Sequence, residues 1–351
     1  MVLLRPCTGH PSWMEATLLS TGEVSYSGEL RIRFSVADAG DAAHALCEDV
    51  AAQLRAAGWD ADVVVLPPEG PNQKAGQVAA AVDTLCQQEA ILLSVDADVD
   101  LSGVDLEPVL APLLRDETVG VVWIPPAERG TPAGWGDRAS AALLSGSLHA
   151  FPLLAGLDPN GMVGKLFAIH PRAFEALSPV RELGWYLGED MEIARRVRAA
   201  GLRIGLVGRV ALSRAQGRAF RSVIQRFTRW LLVIRGQRPA LLLTYPLFFG
   251  ATAPILTLAA VACLSPGGWA RILGGYAAAV TLISRWTLAM VARRISGARA
   301  RPLRAVLDVA LSELTIWWAF GRALVQRRVI WAGRSLRLSS SGRLEDARAR
   351  Q

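Results

Sequence analysis

Apolar residues in the first half of the chain fall in short runs separated by amphipathic stretches. Val2–Leu4, Ile32–Val36, Ala61–Leu66, Ala90–Val95 and Val119–Ile124 have the length and branched content of buried strands. Between them, Ala42–Ala57, which stops at Gly58, and Gly76–Glu89 place apolar residues at helical spacing. Strands alternating with helices predict an α/β fold, a mostly parallel sheet with helices on both faces. Ligands of such sheets sit at the carboxyl ends of the strands, so Asp38 and Asp96, each just past a strand, are candidates by topology alone.

The pattern then changes. Pro125–Gly136 is rich in Pro and Gly and reads as a loop. Ala139–Leu157 is apolar with only His149 interrupting, either a buried helix or part of a surface that receives an acceptor. A turn-rich stretch, Ser178–Gly188, leads into a helix over Glu189–Ala200 with arginines near its end and Gly201 as its stop. Residues 216–238 carry six arginines and no acid, interleaved with Phe220, Val223, Phe227, Leu231 and Ile234. That spacing predicts an amphipathic helix, which either lies at a membrane interface or packs its apolar face on the rest of the protein.

Beyond it lie three long apolar segments. Ala240–Leu264 has no charge and is long enough to span a bilayer. Trp269–Ala292 is a second candidate, with Arg271 and Arg285 inside it. Leu303–Val325 is a third, but Asp308 and Glu313 are costly at the centre of a membrane. Five arginines in residues 293–304 and the basic tail after Gln326 both belong on the cytoplasmic side. Two full spans plus an interfacial or re-entrant helix satisfy that placement. The expected organisation is a cytoplasmic catalytic domain over residues 1–215, an interfacial helix over 216–238, a membrane region of two or three helices over 239–325 and a basic tail over 326–351.

Composition agrees with this division. Hydrophobic residues make up 52% of the 351 and the mean hydropathy is +0.29, high for a wholly soluble chain. The formal charge is +7, carried by arginine, since Lys74 and Lys165 are the lysines. The basic residues concentrate after Arg218, which suggests an anionic membrane surface, and no nucleic-acid motif is present. Cys7, Cys47, Cys86 and Cys263 are scattered without a metal-binding spacing and read as buried thiols of a reducing compartment. The chain opens on Val2-Leu3-Leu4, with no secretory signal and no N-terminal anchor expected. No P-loop, G-x-S-x-G elbow or strand-linked G-x-G-x-x-G occurs, which argues against NTPase, hydrolase and dehydrogenase chemistry.

Three groups of residues carry candidate chemistry. Asp96 and Asp98, one residue apart at a strand end, are suited to Mg²⁺ or Mn²⁺ facing a diphosphate, although acid pairs in surface turns are common and Asp100 adds a third carboxylate. Asp190, at the start of a helix after Gly188-Glu189, is either an acid favoured by the helix dipole or a general base that deprotonates an attacking hydroxyl. Arg226 and Arg229 share a helix face and can clamp phosphate oxygens, with Trp230 as core, interface anchor or acceptor wall. Lys74, before a helix, is either a solvent-exposed turn lysine or a residue near a donor phosphate or base.

In this order the motifs resemble the family 2/21 glycosyltransferases, most closely the ceramide glucosyltransferase-like branch with its bacterial hopanoid-associated relatives. Leu3-Leu4-Arg5-Pro6-Cys7-Thr8-Gly9 is similar to that branch's first strand and loop, and Val36-Ala37-Asp38 to its first aspartate motif. Pro71-Asn72-Gln73-Lys74 is similar to its Asn-Pro-Lys segment. Asp96 and Asp98 match the second motif, and Glu189-Asp190 the third. Arg226-Phe227-Thr228-Arg229-Trp230 fits (Q/R)-x-x-R-W, and Trp331-Ala332-Gly333-Arg334 resembles a Trp-Arg-Gly segment near the end of bacterial relatives. The resemblance implies a GT-A fold, a UDP-sugar donor with UDP-glucose favoured, Mg²⁺ or Mn²⁺, a lipid acceptor such as ceramide or a hopanoid polyol, and an inner-membrane, multi-pass enzyme facing the cytoplasm. Carried over by position, Asp38 and Lys74 contact the donor nucleotide, Asp96 and Asp98 serve the metal and diphosphate, and Asp190 is the base. Arg226, Arg229 and Trp230 border diphosphate and acceptor. The family often has an N-terminal membrane helix, which this pattern lacks. N-acetylglucosaminyl transfer to a hopanoid, a processive polysaccharide synthase and an inactive membrane scaffold are the competing readings.

Overall fold

A computed structural model describes residues 1–346, except 87, 131, 215, 299, 300, 327, 332, 333 and 340. The chain forms two compact units. The first gathers residues 1–126, 155–215 and 327–351, and the second gathers 127–154 and 216–326.

The first unit is built on a seven-stranded sheet: β1 (Val2–Cys7), β2 (Arg31–Val36), β3 (Asp60–Val65), β4 (Leu92–Val95), β5 (Val119–Trp123), β6 (Leu166–Ile169) and β7 (Arg203–Leu206). Their order is β3-β2-β1-β4-β6-β5-β7. Only β6 runs against its neighbours β4 and β5, and the other pairings are parallel. Leu3, Leu4, Ile32, Phe34, Leu92, Leu93, Val121 and Val122 are fully buried, as strands covered on both faces require. The five strands expected from the pattern are present. β6 and β7 escaped the sequence reading, being four residues each. The chain runs outward from β1 to β2 and β3, then returns to β4 on the other side of β1. The reversal leaves a crevice at the carboxyl ends of β1 and β4.

Helices Ala42–Ala56, Gln73–Leu85 and Glu107–Arg115 link successive parallel strands, and Glu189–Ala199 leads into β7. Asp41 caps the first of them by accepting the Ala43 amide at 2.8 Å. Gly201, at φ +84, follows the helix Glu189–Ala199 in a conformation that only glycine takes freely. Cys7 and Cys47 are buried, but Cys86 and Cys263 are exposed, contrary to expectation: one follows Leu85 at a helix end and the other lies on an outward apolar face.

The same unit contains an antiparallel ribbon of strands Arg328–Trp331, Arg334–Leu338 and Leu344–Asp346. Ala332 and Gly333 of the Trp331–Arg334 segment lie outside the described residues. The ribbon returns to the loop before Glu189: the Leu187 amide donates to the Gly342 carbonyl at 3.2 Å, Tyr186 bridges to Arg343, and Arg343 lies 3.8 Å from Glu182.

In the second unit, Phe220–Gln237 is a single helix whose apolar positions Val223, Phe227, Leu231 and Ile234 are buried. That face packs on the helices Trp135–Leu144 and Pro302–Val325. Among the described residues, Gly268–Ile295 is the one continuous helix long and apolar enough to cross a membrane. Two bent pairs of helices pass the same test if each counts as one span, Trp135–Ser147 with Ala150–Leu157 at 59° and Pro239–Phe249 with Thr252–Leu264 at 75°. One to three helices therefore have the length and composition of a span.

The expected continuous span over Ala240–Leu264 is broken, and local chemistry explains why. Pro254 has no amide to donate to the carbonyl four residues back, that of Gly250. Trp317 Nε1 donates to that freed carbonyl at 2.8 Å. The exposed amides of Thr252 and Ala253 donate to Glu313 at 3.1 and 3.2 Å. Glu313, which looked costly inside a third span, thus caps a helix start. Gly250 is also required sterically, because a Cβ there would lie 2.5 Å from Ile316.

Candidate active site

In the first unit β4 delivers Asp96 to the crevice, and the Asp96 amide donates to the Lys165 carbonyl at 2.9 Å. The turn that follows is held from below by Arg5, a fully buried arginine inside β1. Its guanidinium donates to the carbonyls of Asp96 and Ala97 at 3.1 Å each and of Val99 at 2.5 Å, and to Thr17 and Thr21. Burial pulls the Arg5 guanidinium down to about 10, with Cys7, Asp98, Asp96 and Asp100 pulling the other way. The strand pattern gave no sign of this brace.

Asp96 and Asp98 converge on one cation, the ammonium of Lys165. Its Nζ lies 3.0 Å from Asp96 Oδ2 and 2.5 and 2.6 Å from the two oxygens of Asp98. Lys74 ion-pairs with the other oxygen of Asp96 at 2.7 Å and with Glu189 at 3.3 Å, and donates to the Gly164 carbonyl. Burial lowers the affinity of Lys74 for its proton, but Asp96, Glu189 and Asp190 outweigh it, so Lys74 stands above the ordinary lysine value and stays charged. Asn72 caps the helix that carries Lys74 and also donates to Glu189 Oε2 at 3.0 Å and to the Tyr186 carbonyl at 2.9 Å.

Asp190 occupies the first turn of its helix. It accepts the amides of Gly164 at 2.8 Å and Met191 at 2.9 Å. Burial and then the neighbouring Glu189 raise its carboxyl to about 7, against the opposing pull of Lys74 and the two amides. Gly164 is where the loop before β6 passes between Lys74 and Asp190. A Cβ there would sit 3.2 Å from both the Asp190 Cβ and the Lys74 Nζ. At Gly184 the fit is closer still: a Cβ would meet the Glu69 carbonyl at 1.7 Å, so the loop before Lys74 and the loop before Glu189 touch backbone to backbone.

The structure therefore brings together four expected residues, Lys74, Asp96, Asp98 and Asp190, and adds Lys165 and Glu189. Four carboxylates there face the ammonium groups of Lys74 and Lys165. Among the described residues no three His, Cys, Asp or Glu side chains converge as a metal site. Two carboxylates that already share one cation would suit a hard divalent ion. Asp100 is excluded from that pair, since its buried carboxylate is engaged by Arg214, Ser102 and its own turn. Asp38 follows β2 as expected but is exposed, its Oδ1 accepting the Gly40 amide at 2.6 Å, outside the ion-pair cluster.

Arg226, Arg229 and Trp230 belong to the second unit. The Arg226 Nη1 lies 3.3 Å from Glu128 and 3.2 Å from Ser140 Oγ, and its plane covers the rings of Phe227 and Trp230 at 5.3 and 5.7 Å. Its Nη2 is buried with no hydrogen-bond partner. Arg218 shares Glu128 at 2.7 Å. Burial, then the nearby charge of Arg226, lowers the Arg229 guanidinium. Glu128, in a segment read as loop, was not singled out by the sequence.

No curated protein matches this chain significantly. Solved structures similar to it include the mannosyltransferase PcManGT from Pyrobaculum calidifontis in complex with GDP-Man and Mn²⁺, at 17% identity and a TM-score of 0.46 over 89% of this chain and 86% of that one. Another is glucosyl-3-phosphoglycerate synthase from Mycobacterium tuberculosis with Mn²⁺ and UDP-glucose, at 15% identity and a TM-score of 0.38 over 66% and 77%. The mixed, mostly parallel sheet followed by a helical region agrees with the α/β architecture expected above. The model of glycosyl transferase family 21 matches residues 1–344, nearly the full length, and the protein belongs to that family of glycosyltransferases.

Proposed function

We propose that the enzyme transfers a hexose from a UDP-sugar, UDP-glucose in the first instance, to a hydroxyl of a membrane lipid such as ceramide, with inversion at the sugar carbon. The observation that carries this reading is Asp190. Its carboxylate is oriented by the Gly164 amide and has a pKa of about 7, where a carboxylate is a competent base at neutral pH. Asp190 takes the proton of the acceptor hydroxyl as that oxygen bonds to the anomeric carbon, while the bond from that carbon to the diphosphate breaks and UDP departs. Lys74 faces the departing phosphates, fixed in its charged form by Asp96 and Glu189. Asp96 and Asp98 are the residues to hold Mg²⁺ or Mn²⁺, which when bound offsets the charge of the leaving diphosphate. The exposed Asp38 is assigned to the donor nucleotide, and Arg226, Arg229 and Trp230 to diphosphate and acceptor.

The apolar helix Gly268–Ile295 and the bent pairs support a membrane-bound enzyme whose arginine-rich ends face the cytoplasm. The test is transfer of labelled glucose from UDP-glucose to a lipid-extractable product by membranes containing the protein. Asp190→Asn should abolish transfer while leaving UDP binding in place. Full activity in that variant, or undiminished activity in excess chelator, contradicts the assignment. Lipid mass spectrometry of cells with and without the gene identifies the sugar and the acceptor.

A further inference from the structure

The second unit contains a cavity of about 520 Å³, lined by none of the residues assigned a chemical role above. It is lined by Arg138, Arg285, Arg293, Arg301 and Arg304, with Asp308 as the sole acid among its described lining residues. Five guanidinium groups against Asp308 and against Glu313, which lies 3.9 Å from Arg285 behind the lining, leave a surplus of three positive charges around one open pocket. Asp308 is already committed, accepting Arg138 Nε at 2.9 Å and pairing with Arg293. The Nε atoms of Arg285 and Arg293 are buried and have no hydrogen-bond partner. Like charges gathered in a concave site repel one another, and buried donors without acceptors cost stability. Both penalties are relieved by an anion with several acceptor oxygens.

The other walls are small and apolar. Ala289 and Ala292 lie on the same face of the candidate span Gly268–Ile295 as Arg285 and Arg293, and Ala141 and Ala142 line the cavity from the helix Trp135–Leu144. Arg293, Arg301 and Arg304 lie at the end of that candidate span and the start of the helix Pro302–Val325, where lipid headgroups would meet water if Gly268–Ile295 crosses a bilayer. Trp135, largely exposed on the cavity wall, has the ring chemistry favoured at that level. Arginine forks match the oxygens of phosphate in bidentate fashion, as they do those of carboxylates.

We infer that this cavity is a binding site for a phosphate-bearing group, the headgroup of an anionic phospholipid being the source its position favours. The inference is independent of the sugar-transfer reading, and its test does not use activity.

Purified full-length protein in neutral detergent is titrated by calorimetry with short-chain phosphatidylglycerol, short-chain phosphatidylcholine and sn-glycerol 3-phosphate. Saturable binding of phosphatidylglycerol is expected. Arg301→Gln and Arg304→Gln, both at exposed positions outside the packed core, should each weaken it about tenfold, the loss of one charge-assisted hydrogen bond. Arg294→Gln, on the same helix end but outside the cavity, should leave it unchanged. Equally tight binding of glycerol 3-phosphate identifies a soluble phosphate ester as the source and keeps the site. An equal loss in Arg294→Gln, non-saturable binding, or equal affinity for phosphatidylcholine overturns the proposal in favour of diffuse surface charge.

Discussion

Replacing Asp190 with Asn keeps the side-chain shape and an acceptor for the Gly164 amide but removes the proton acceptor. General-base catalysis contributes about 10²–10⁴-fold. The variant should therefore turn over roughly a hundred to ten thousand times more slowly, about 2.7–5.4 kcal/mol of barrier. In the wild type the carboxyl stands at about 7 because burial and Glu189 raise it more than Lys74 and two amides lower it. A base works deprotonated, so kcat/KM should rise tenfold per pH unit below that value and level off above it. Stability should run the other way. The folded carboxyl holds its proton more tightly than the unfolded one, whose pKa is about 3.9. The folded state is thus favoured below the unfolded pKa and loses that advantage as pH rises toward the folded one. Asp190→Asn should therefore unfold at a higher temperature than wild type at pH 8 and at nearly the same temperature at pH 4. The assay is labelled-sugar transfer across about pH 5 to 9, beside thermal unfolding in detergent. A wild-type profile flat through pH 7, or an Asn variant with most of its activity, would refute the reasoning.

Three further outcomes follow from the same cluster. Lys165→Met removes the ammonium shared by Asp96 and Asp98 and should tighten Mn²⁺ binding in the absence of donor by about tenfold or more, read by calorimetry; unchanged affinity means that the carboxylates do not hold the ion. Gly164→Ala places a methyl 3.2 Å from Lys74 and Asp190 and should lower kcat at least about tenfold with little change in thermal stability, one displaced catalytic contact being worth about 1.4 kcal/mol. Truncation after Gln326 removes the ribbon that contacts Leu187 and Glu182 and should cut activity several-fold while leaving membrane association intact, measured by fractionation and transfer assay.

The legible parts of this molecule were those set by local pattern. Strands of four to six apolar residues, the helix before Gly201 and the Asp96/Asp98 turn are written in adjacent positions. The rest depends on partners distant in sequence. Lys165 looked like an isolated lysine because its two carboxylates lie about 70 residues earlier. Arg5 sat inside an apolar strand, and only the fold shows the carbonyls that satisfy it. Ala240–Leu264 read as one span because hydropathy counts side chains, whereas Pro254 acts through the backbone. Residues after Arg328 read as a basic tail because short alternating strands leave little signal among arginines.

That ribbon has a bearing on biosynthesis. The ribosome makes β1 through Ser213, then the apolar helices between Pro239 and Val325, and only afterwards the strands that hold the loop leading to Asp190. A nascent chain halted within the helices carries its donor aspartates but lacks the contacts of Gly342 and Arg343 with that loop. Translation order thus acts as a safety catch, with the proposed base fully supported only after the hydrophobic segments have been synthesised and have had the opportunity to enter the bilayer.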